Sequence, residues 1–311
     1  MAGALLFSSR DDDPVDWSRA LLARMPQLEI RISPELGDPS EIETALVWKP
    51  PAGELGRLPN LRLVISLAAG VDPLLEDESL SPGIPIVRLG ESGMAPMMCQ
   101  YIAHAVLRLH RRIEFFERAQ RARRWDYALP PAADASRVGV MGLGSLGLPA
   151  AQTLAALGFP VAGWARSAKS IPGIECFHGA AGLAPFLART DILVALLPLT
   201  AATRGLIDRQ VFSGLPRGAR LVSCGRGATL VEADLIAALN DGRIAAAVID
   251  VFEKEPLAPD HPFWAMEQVL VTPHIATAPV PDVASAGVVE NIRRLRAGET
   301  LLYPVDRERG Y

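Results

Sequence analysis

Three polar residues in the second half of the chain have the types and the setting that acid–base chemistry on a small anion requires. Arg226, Glu255 and His274 each come shortly after an apolar run that is typical of a buried strand. In an open parallel sheet, ligands bind outside the carboxyl ends of the strands. The spacing therefore predicts that the three side chains lie at one edge of such a sheet and form one catalytic centre.

These side chains suit the reduction of a 2-oxo acid, which needs a hydride, a proton and a group that holds a carboxylate. The guanidinium of Arg226 is a permanently charged fork that binds carboxylates in two directions. A protonated His274 would donate to the carbonyl oxygen, and Glu255 would orient the imidazole and favour its charged form. The structural alternatives are a turn residue, a strand cap and a surface acid. The occurrence of all three residues at successive strand ends favours catalysis.

A glycine-rich loop points to the source of the hydride. Residues 142–147 form Gly-x-Gly-x-x-Gly between the apolar run 138–141 and an apolar helical stretch. In that setting the first glycine makes a tight turn, the second lets the backbone approach a pyrophosphate, and the third allows close helix packing. The alternative is a glycine-rich turn that binds nothing. The predicted contacts to a dinucleotide are Gly142, Gly144, Ser145, Leu146 and Gly147.

The segment after the next predicted strand indicates which dinucleotide would bind. An Asp or Glu usually meets the free ribose 2′-hydroxyl of NADH there, but residues 142–174 contain neither. Arg166 offers a planar cation for a 2′-phosphate, Ser167 a hydroxyl and Lys169 a second positive charge. Together with Trp164 and Ala165, these residues predict that NADPH is preferred over NADH. The alternative is a solvated basic loop.

The elements that must position these residues follow an α/β pattern, because short apolar runs alternate with helical stretches. The first series of strands is predicted over residues 4–8, 28–32, 45–48, 61–67 and 84–89. A long helical stretch over 96–124 and a linker over 128–136 follow. The second series is predicted over residues 137–141, 161–164, 191–197, 220–224, 245–251 and 269–272, with a last helix over 282–297.

Composition narrows the class of protein. A chain of 311 residues is longer than one hydrophobic core usually serves, so we expect two domains. The net charge of −4 gives no general attraction to nucleic acid or to an anionic membrane. Cys99, Cys176 and Cys224 form no paired motif, which argues against a disulfide framework or a metal site and fits a reducing cytoplasm. Residues 1–13 do not resemble a signal peptide, and no run is long enough to span a bilayer.

Taken in order, the motifs resemble the D-isomer-specific 2-hydroxyacid dehydrogenase family over nearly the whole chain. They are the glycine loop, residues 196–203, Gly225-Arg226-Gly227, residues 250–257 and Thr272-Pro273-His274. Within the family, the glyoxylate/hydroxypyruvate reductase A group is the most similar. The features shared with that group are Ala45-Leu46-Val47-Trp48, Gly70-Val71-Asp72, Arg166-Ser167 and the ending over residues 305–311.

The resemblance implies two doubly wound parallel-sheet domains, with the active site in the cleft between them. A Rossmann cofactor domain over residues 97–278 would be inserted into a flavodoxin-like substrate domain made of residues 1–96 and 279–311. The resemblance also implies a homodimer, in which the long helix after Pro96 takes part. The expected reaction is the NADPH-dependent reduction of glyoxylate or hydroxypyruvate to glycolate or D-glycerate.

The resemblance assigns further site residues. The expected substrate contacts beside Arg226 are Trp48, Ala69, Gly70 and Val71, although Trp48 has the alternative of an ordinary core aromatic. The expected cofactor contacts are Leu197, Pro198, Thr203, Cys224, Gly225, Arg226, Asp250 and His274. Two departures from the family pattern bear on the cofactor contacts. Ser223-Cys224-Gly225 stands where the family usually has Asn or another small residue followed by Ala, and residues 275–278 lack the glycine pair that often follows the histidine.

Three other functions remain open from the sequence. A bulkier 2-oxo acid such as phenylpyruvate would use the same three catalytic residues. A dinucleotide-sensing corepressor shares the fold but needs a peptide-docking cleft and a disordered tail, and the reductase-like ending of this chain argues against it. A substrate-carrying binding protein would not need the paired Glu255 and His274.

Overall fold

A computed structural model describes residues 3–90 and 92–310 of the chain. Tyr311, which belongs to the family-like ending, therefore lies outside the described residues, as do Met1 and Ala2 of the predicted non-signal start. Backbone contacts divide the chain into two compact units. The first unit comprises Met1–Met94 and Ala278–Tyr311, and the second comprises Ala95–Thr277. The assignment of these units as substrate and cofactor domains stays a prediction.

The first unit contains a five-stranded parallel sheet. Its strands are β1 (Ala4–Ser9), β2 (Ile30–Ile32), β3 (Ile42–Trp48), β4 (Leu63–Ser66) and β5 (Ile86–Arg88). Their order, β2-β1-β3-β4-β5, is the doubly wound arrangement of flavodoxin-like folds. The central strands are buried on both faces, so they are continuous apolar runs such as Leu5-Leu6-Phe7 rather than alternating ones.

The second unit contains a seven-stranded parallel sheet. Its strands are β6 (Val138–Met141), β7 (Val161–Ala165), β8 (Glu175–His178), β9 (Ile192–Ala195), β10 (Ala219–Ser223), β11 (Ile244–Ile249) and β12 (Val269–Val271). The order β12-β11-β10-β9-β6-β7-β8 is the Rossmann order with one added strand. Because β6 lies between β7 and β9, the strand order reverses beside β6, which is where such sheets bind ligands. The predicted fold class, two doubly wound parallel sheets, is confirmed.

Helices connect the strands in both units. They are α1 (Pro14–Arg24), α2 (Asp72–Leu75), α3 (Met94–His110), α4 (Ile113–Arg121), α5 (Gly147–Ala156), α6 (Gly179–Ala188), α7 (Arg209–Gly214), α8 (Glu232–Asn240) and α9 (Pro281–Ala297). No helix in the described part of the chain has the length and apolar character to cross a bilayer.

Two local features differ from the sequence-based expectation. The helical stretch after Pro96 is not continuous, because Arg112 adopts a left-handed backbone conformation between α3 and α4. A two-pronged ion pair between Arg108 and Glu117, with both distances 2.6 Å, joins the two helices across this break. Strand β8 was not predicted. It is an edge strand with polar ends, and therefore lacks the apolar run that marks its neighbours.

Candidate active site

The carboxyl ends of the strands in the second unit lie side by side. Met141 at the end of β6 pairs in register with Ala195 of β9, which pairs with Ser223 of β10. The register continues from β10 through β11 to the end of β12. The loops that follow these strands carry the glycine loop and all three predicted catalytic residues. One edge of the sheet therefore holds the groups that the sequence analysis selected.

The glycine loop has the geometry of a phosphate cradle. Gly142 has φ of 106°, and a Cβ there would lie 2.6 Å from the carbonyl oxygen of Leu196. A Cβ on Gly147 would overlap with the carbonyl of Gly142, so both positions require glycine for internal packing. Gly144 is different, because a Cβ there would meet no atom within 4 Å. Its glycine leaves open space over the start of α5, where backbone amides and the helix dipole favour an anion. The loop therefore fits a dinucleotide pyrophosphate.

The loop after β7 presents cations to solvent. Arg166, Ser167 and Lys169 are all exposed. The first acidic residue downstream is Glu175 on β8, and its carboxylate pairs with Arg189 at 3.4 Å. The loop therefore has positive and hydroxyl groups where a 2′-phosphate would be recognised. The indole of Trp164 is turned inward, because its Nε1 donates to the carbonyl oxygen of Gly179 at 2.9 Å.

The loop after β9 is shaped by one hydroxyl. Thr203 Oγ1 donates to the carbonyl oxygen of Pro198 at 2.6 Å and accepts from the amide of Thr200 at 2.8 Å. These bonds close the turn beside the buried Leu197. The role of Thr203 within the chain is thus to fix the loop, and its predicted contact to the cofactor, like those of Leu197 and Pro198, stays a prediction.

Arg226 lies in a turn that is packed against its neighbours on both sides. A Cβ on Gly225 would lie 2.8 Å from the carbonyl oxygen of Leu197, and a Cβ on Gly227 would overlap with the carbonyl of Phe252. The Arg226 side chain donates from Nη1 to the carbonyl oxygen of Gly225 at 2.9 Å and is partly exposed. The two glycines therefore let the turn carry a cation close to the loop that contains Glu255.

Glu255 and His274, which the sequence analysis placed in one centre, lie within hydrogen-bond distance of each other. Nδ1 of His274 lies 2.9 Å from Oε2 and 3.1 Å from Oε1 of Glu255. Oε1 of Glu255 also accepts from the amide of Phe252 at 3.2 Å. The side chains are 32% and 22% exposed respectively. Within the described part of the chain, Nε2 of His274 has no hydrogen-bond partner, so the second ring nitrogen remains available for a ligand.

Asp250 clamps the loop that carries His274. It is fully buried at the end of β11. Its Oδ1 accepts from the hydroxyl of Thr272 at 2.6 Å and from the amide of Ile275 at 2.9 Å, and its Oδ2 accepts from the amide of Ala276 at 2.9 Å. The carbonyl oxygen of Asp250 also accepts from the amide of His274 at 2.8 Å. One residue therefore holds the Thr272 side chain before His274 and the backbone at and after His274, which has φ of 56°.

Cys224 and Tyr101 lie close to Asp250 and Thr272. Cys224 follows β10 and is buried, and burial raises the pKa of its thiol well above the usual value. Tyr101 on α3 places its hydroxyl 2.6 Å from Thr272 Oγ1. The sequence analysis did not single out Tyr101, and the signal it offers is weak: one hydroxyl among the apolar positions of a helix.

No group of His, Cys, Asp and Glu residues suited to a metal ion occurs among residues 3–90 and 92–310.

The predicted substrate contacts of the first unit lie at the carboxyl edge of its own sheet. Trp48 is the last residue of β3 and is partly exposed. The turn that contains Ala69 and Gly70 follows β4 and is tied by Ser66, whose hydroxyl lies 3.1 Å from the carbonyl oxygen of Gly70. Val71 is buried at the start of α2. Their contact with a substrate stays a prediction.

Comparison with known proteins places this architecture in one family. The sequence model described as "D-isomer specific 2-hydroxyacid dehydrogenase, NAD binding domain" matches residues 103–276. A glyoxylate/hydroxypyruvate reductase A from Serratia proteamaculans is 41% identical over 301 residues, which are 95% of this chain and 96% of that protein. A reductase of the same name from Yersinia enterocolitica is 40% identical over 300 residues, again 95% and 96% of the two chains.

Solved structures agree over the full length of the chain. A D-isomer-specific 2-hydroxyacid dehydrogenase from Xanthobacter autotrophicus, in complex with NADPH and MES, is 49% identical with a TM-score of 0.95 and covers 100% of both chains. An NADPH-dependent glyoxylate/hydroxypyruvate reductase from Sinorhizobium meliloti, in complex with NADP and sulfate, is 35% identical with a TM-score of 0.93 and covers 99% of this chain and 100% of that one. This chain therefore belongs to the D-isomer-specific 2-hydroxyacid dehydrogenase family, as an NAD(P)-dependent enzyme of its glyoxylate/hydroxypyruvate reductase A group.

Proposed function

We propose that this enzyme reduces small 2-oxo acids with NADPH, converting glyoxylate to glycolate and hydroxypyruvate to D-glycerate. The observation that carries the proposal is the hydrogen bond between His274 and Glu255, in which Nδ1 faces the carboxylate and Nε2 is left for a ligand. This pair shares a sheet edge with the Arg226 turn and the glycine loop. The substrate class is supported by the relatives named glyoxylate/hydroxypyruvate reductase A.

In this mechanism Arg226 holds the substrate. Its guanidinium binds the carboxylate of the oxo acid and polarises the neighbouring carbonyl, because a forked cation matches a planar anion and stays charged at every working pH. The packing of Gly225 and Gly227 fixes the turn that bears the guanidinium. A fixed cation stabilises the negative charge that develops on the carbonyl oxygen without reorganising during the reaction.

His274 supplies the proton. A dinucleotide held by the glycine loop would supply the hydride. Protonated His274 then donates from Nε2 to the carbonyl oxygen, because Nδ1 is already engaged by Glu255. The carboxylate of Glu255 stabilises the charged imidazole and keeps Nε2 directed away from the loop. In the reverse reaction, neutral His274 accepts the proton of the hydroxy acid at the same atom.

A panel of 2-oxo acids tests the substrate class. With saturating NADPH, we expect the highest kcat/KM for glyoxylate and hydroxypyruvate, and lower values for pyruvate and phenylpyruvate. A maximum at phenylpyruvate would favour the alternative of a bulkier substrate. Absence of reduction with every acid would contradict the proposed function.

The cofactor preference depends on the loop after β7. We expect kcat/KM to be higher for NADPH than for NADH, and Arg166→Ala to lower the NADPH value by roughly tenfold to a hundredfold, since a hydrogen bond between charged groups contributes about 1.5–3 kcal/mol. The NADH value should change by less than about twofold, because no 2′-phosphate is lost. Arg57→Ala is the matched control, because Arg57 is an exposed cation in the first unit. An equal or higher kcat/KM for NADH in the unaltered enzyme would reject the preference.

The homodimer also belongs to this proposal. Trp125, Tyr127 and Leu129, which follow α4, are 99%, 79% and 80% exposed, and three large apolar side chains on one short segment are typical of a surface that a partner covers. A second copy of the chain is the proposed partner. Sedimentation equilibrium would test this, with a monomer at micromolar concentration as the contradicting result. A cytoplasmic location stays a prediction.

A further inference from the structure

A half-buried chain of hydroxyl groups leads from helix α3 to the loop that carries His274. The hydroxyl of Tyr101 lies 2.6 Å from Thr272 Oγ1, and Thr272 Oγ1 donates to Asp250 Oδ1 at 2.6 Å. Since the single proton of Thr272 goes to the carboxylate, the bond from Tyr101 has a fixed direction, in which the phenol donates and Thr272 accepts. The three side chains thus form a directional relay that ends on Asp250.

Asp250 connects this relay to the backbone that follows His274. Its carboxylate also accepts hydrogen bonds from the amides of Ile275 and Ala276, both at 2.9 Å. Rotation of the carboxylate would break those bonds, because a carboxylate that serves three donors has one orientation that satisfies them all. The Thr272 hydroxyl therefore helps to fix the orientation in which Asp250 holds the residues that follow His274.

His274 needs such a constraint. Its φ of 56° is unusual for a residue other than glycine, and this conformation persists only when the surrounding structure imposes it. The amide of His274 itself donates to the carbonyl oxygen of Asp250 at 2.8 Å. Asp250 therefore governs the backbone of His274 directly and governs the next two residues through its side chain.

Tyr101 is suited to be a constant donor in this relay. It is half-buried, and burial raises the pKa of its hydroxyl well above the usual value, with the nearby Asp250 and Cys224 adding to the shift. The phenol therefore keeps its proton at every pH at which the enzyme works. Its ring belongs to α3 and packs against the buried core of the second unit, which anchors the first member of the relay.

We propose that Tyr101 and Thr272 are positioning residues for His274, acting through the Asp250 carboxylate to hold the loop at residues 272–276 in the conformation that presents the imidazole. The proposal rests on the proposed function only for the catalytic role of His274. Neither hydroxyl is assigned a contact with substrate, so loss of either should lower kcat and leave KM for the oxo acid unchanged.

Four variants test the relay. Thr272→Val removes the hydroxyl at constant shape and should lower kcat by about tenfold to a hundredfold, since small displacements of a catalytic group have effects of this size. Tyr101→Phe should lower kcat by about threefold to tenfold, the effect of one hydrogen bond. Thr272→Ser keeps the hydroxyl and should restore most of the activity. Ser213→Ala, which removes an exposed hydroxyl of the same unit, is the matched control.

The double variant Tyr101→Phe/Thr272→Val separates a relay from two unrelated packing effects. Because Tyr101 acts through Thr272, the double variant should be no slower than Thr272→Val alone. Multiplicative losses in the double variant would overturn the proposal. Equal defects in Thr272→Ser and Thr272→Val, or a kcat for Tyr101→Phe within twofold of the unaltered enzyme, would also overturn it.

Amide hydrogen exchange gives a readout that is independent of turnover. In the protein without added cofactor, the amides of Ile275 and Ala276 should exchange about tenfold faster in Thr272→Val and several-fold faster in Tyr101→Phe, because their acceptor is less firmly held. Ser213→Ala should leave both rates unchanged. Unchanged exchange in all variants would refute the relay even if no oxo acid were reduced. Faster exchange without oxo-acid reduction would support the relay and refute only the proposed function.

Discussion

The second unit contains two histidine–glutamate pairs that differ in which ring nitrogen the carboxylate engages. In the pair at the sheet edge, Glu255 lies 2.9 Å from Nδ1 of His274. In the other pair, Glu232 lies 3.3 Å from Nε2 of His261, and Nδ1 of His261 accepts from the amide of Phe263 at 3.3 Å. Both nitrogens of His261 are therefore engaged, whereas one nitrogen of His274 is left for a ligand.

This difference fits the catalytic role proposed for His274 and Glu255 and a structural role for His261 and Glu232. Side-chain exposure points the same way, at 32% for His274 and 18% for His261. The other carboxylate oxygen of Glu232 accepts a hydrogen bond from the amide of Glu253 at 2.9 Å, two residues before Glu255. The pair of His261 and Glu232, called the inner pair below, thus supports the loop that carries Glu255. Glu255 and His274 are called the outer pair. The same two residue types thus leave one ring nitrogen for a ligand in one place and anchor a loop in the other, and the hydrogen-bond partners make the difference.

The largest expected effect is on kcat when the outer histidine is removed. His274→Ala should lower kcat for oxo-acid reduction by ~10²–10⁴, the contribution typical of general acid catalysis. Steady-state kinetics with saturating NADPH measures it, and His261→Ala is the matched control. If the two alanine variants lost activity equally, the distinction between the pairs would be lost.

A smaller effect is expected when the outer carboxylate is neutralised. Glu255→Gln should lower kcat about tenfold, because the amide can hold the His274 ring but gives less electrostatic support to proton transfer from it. Steady-state kinetics with saturating NADPH measures the fall, with Glu232→Gln as the control. A kcat within twofold of that of the unaltered enzyme would remove Glu255 from its proposed role.

The smallest effect on turnover is expected at the inner pair. His261→Ala should lower kcat by less than about threefold, but it removes the side-chain acceptor of the Phe263 amide and the partner of Glu232. The loss of such a cap contributes about 1 kcal/mol, which corresponds to a fall in Tm of about 2–4 °C for a unit of this size. Thermal unfolding followed by circular dichroism measures it. A large loss of kcat at an unchanged Tm would make His261 part of the catalytic machinery.

The outer pair was predictable from the sequence and the inner pair was not. Glu255 and His274 follow apolar strands, and the parallel sheet brings the ends of those strands to one edge. Glu232 starts a helix, and His261 precedes a short helical turn. Neither position indicates from the sequence that the two side chains are in contact. Glycine spacing predicted the cofactor loop because backbone overlap excludes side chains at Gly142 and Gly147.

Other features were hidden for equally physical reasons. The break between α3 and α4 has no glycine or proline to mark it, because Arg112 itself takes the left-handed conformation. The relay from Tyr101 joins residues 171 positions apart in the sequence, and helical periodicity gives no reason to select that hydroxyl. Local patterns therefore identify strands and the loops after them, while pairings between distant side chains appear only in the folded chain.

The close approach of Gly227 to Phe252 limits how this enzyme can be redesigned. Because a methyl group at Gly227 would overlap with the Phe252 carbonyl, any side chain at residue 227 would push the turn that bears the guanidinium away from the loop that bears the carboxylate. Directed evolution toward new oxo acids would find little tolerated variation at residues 225–227 or 250–255. Successful changes should instead accumulate outside these two segments, so that constant reactive residues are combined with variable positions that select the substrate.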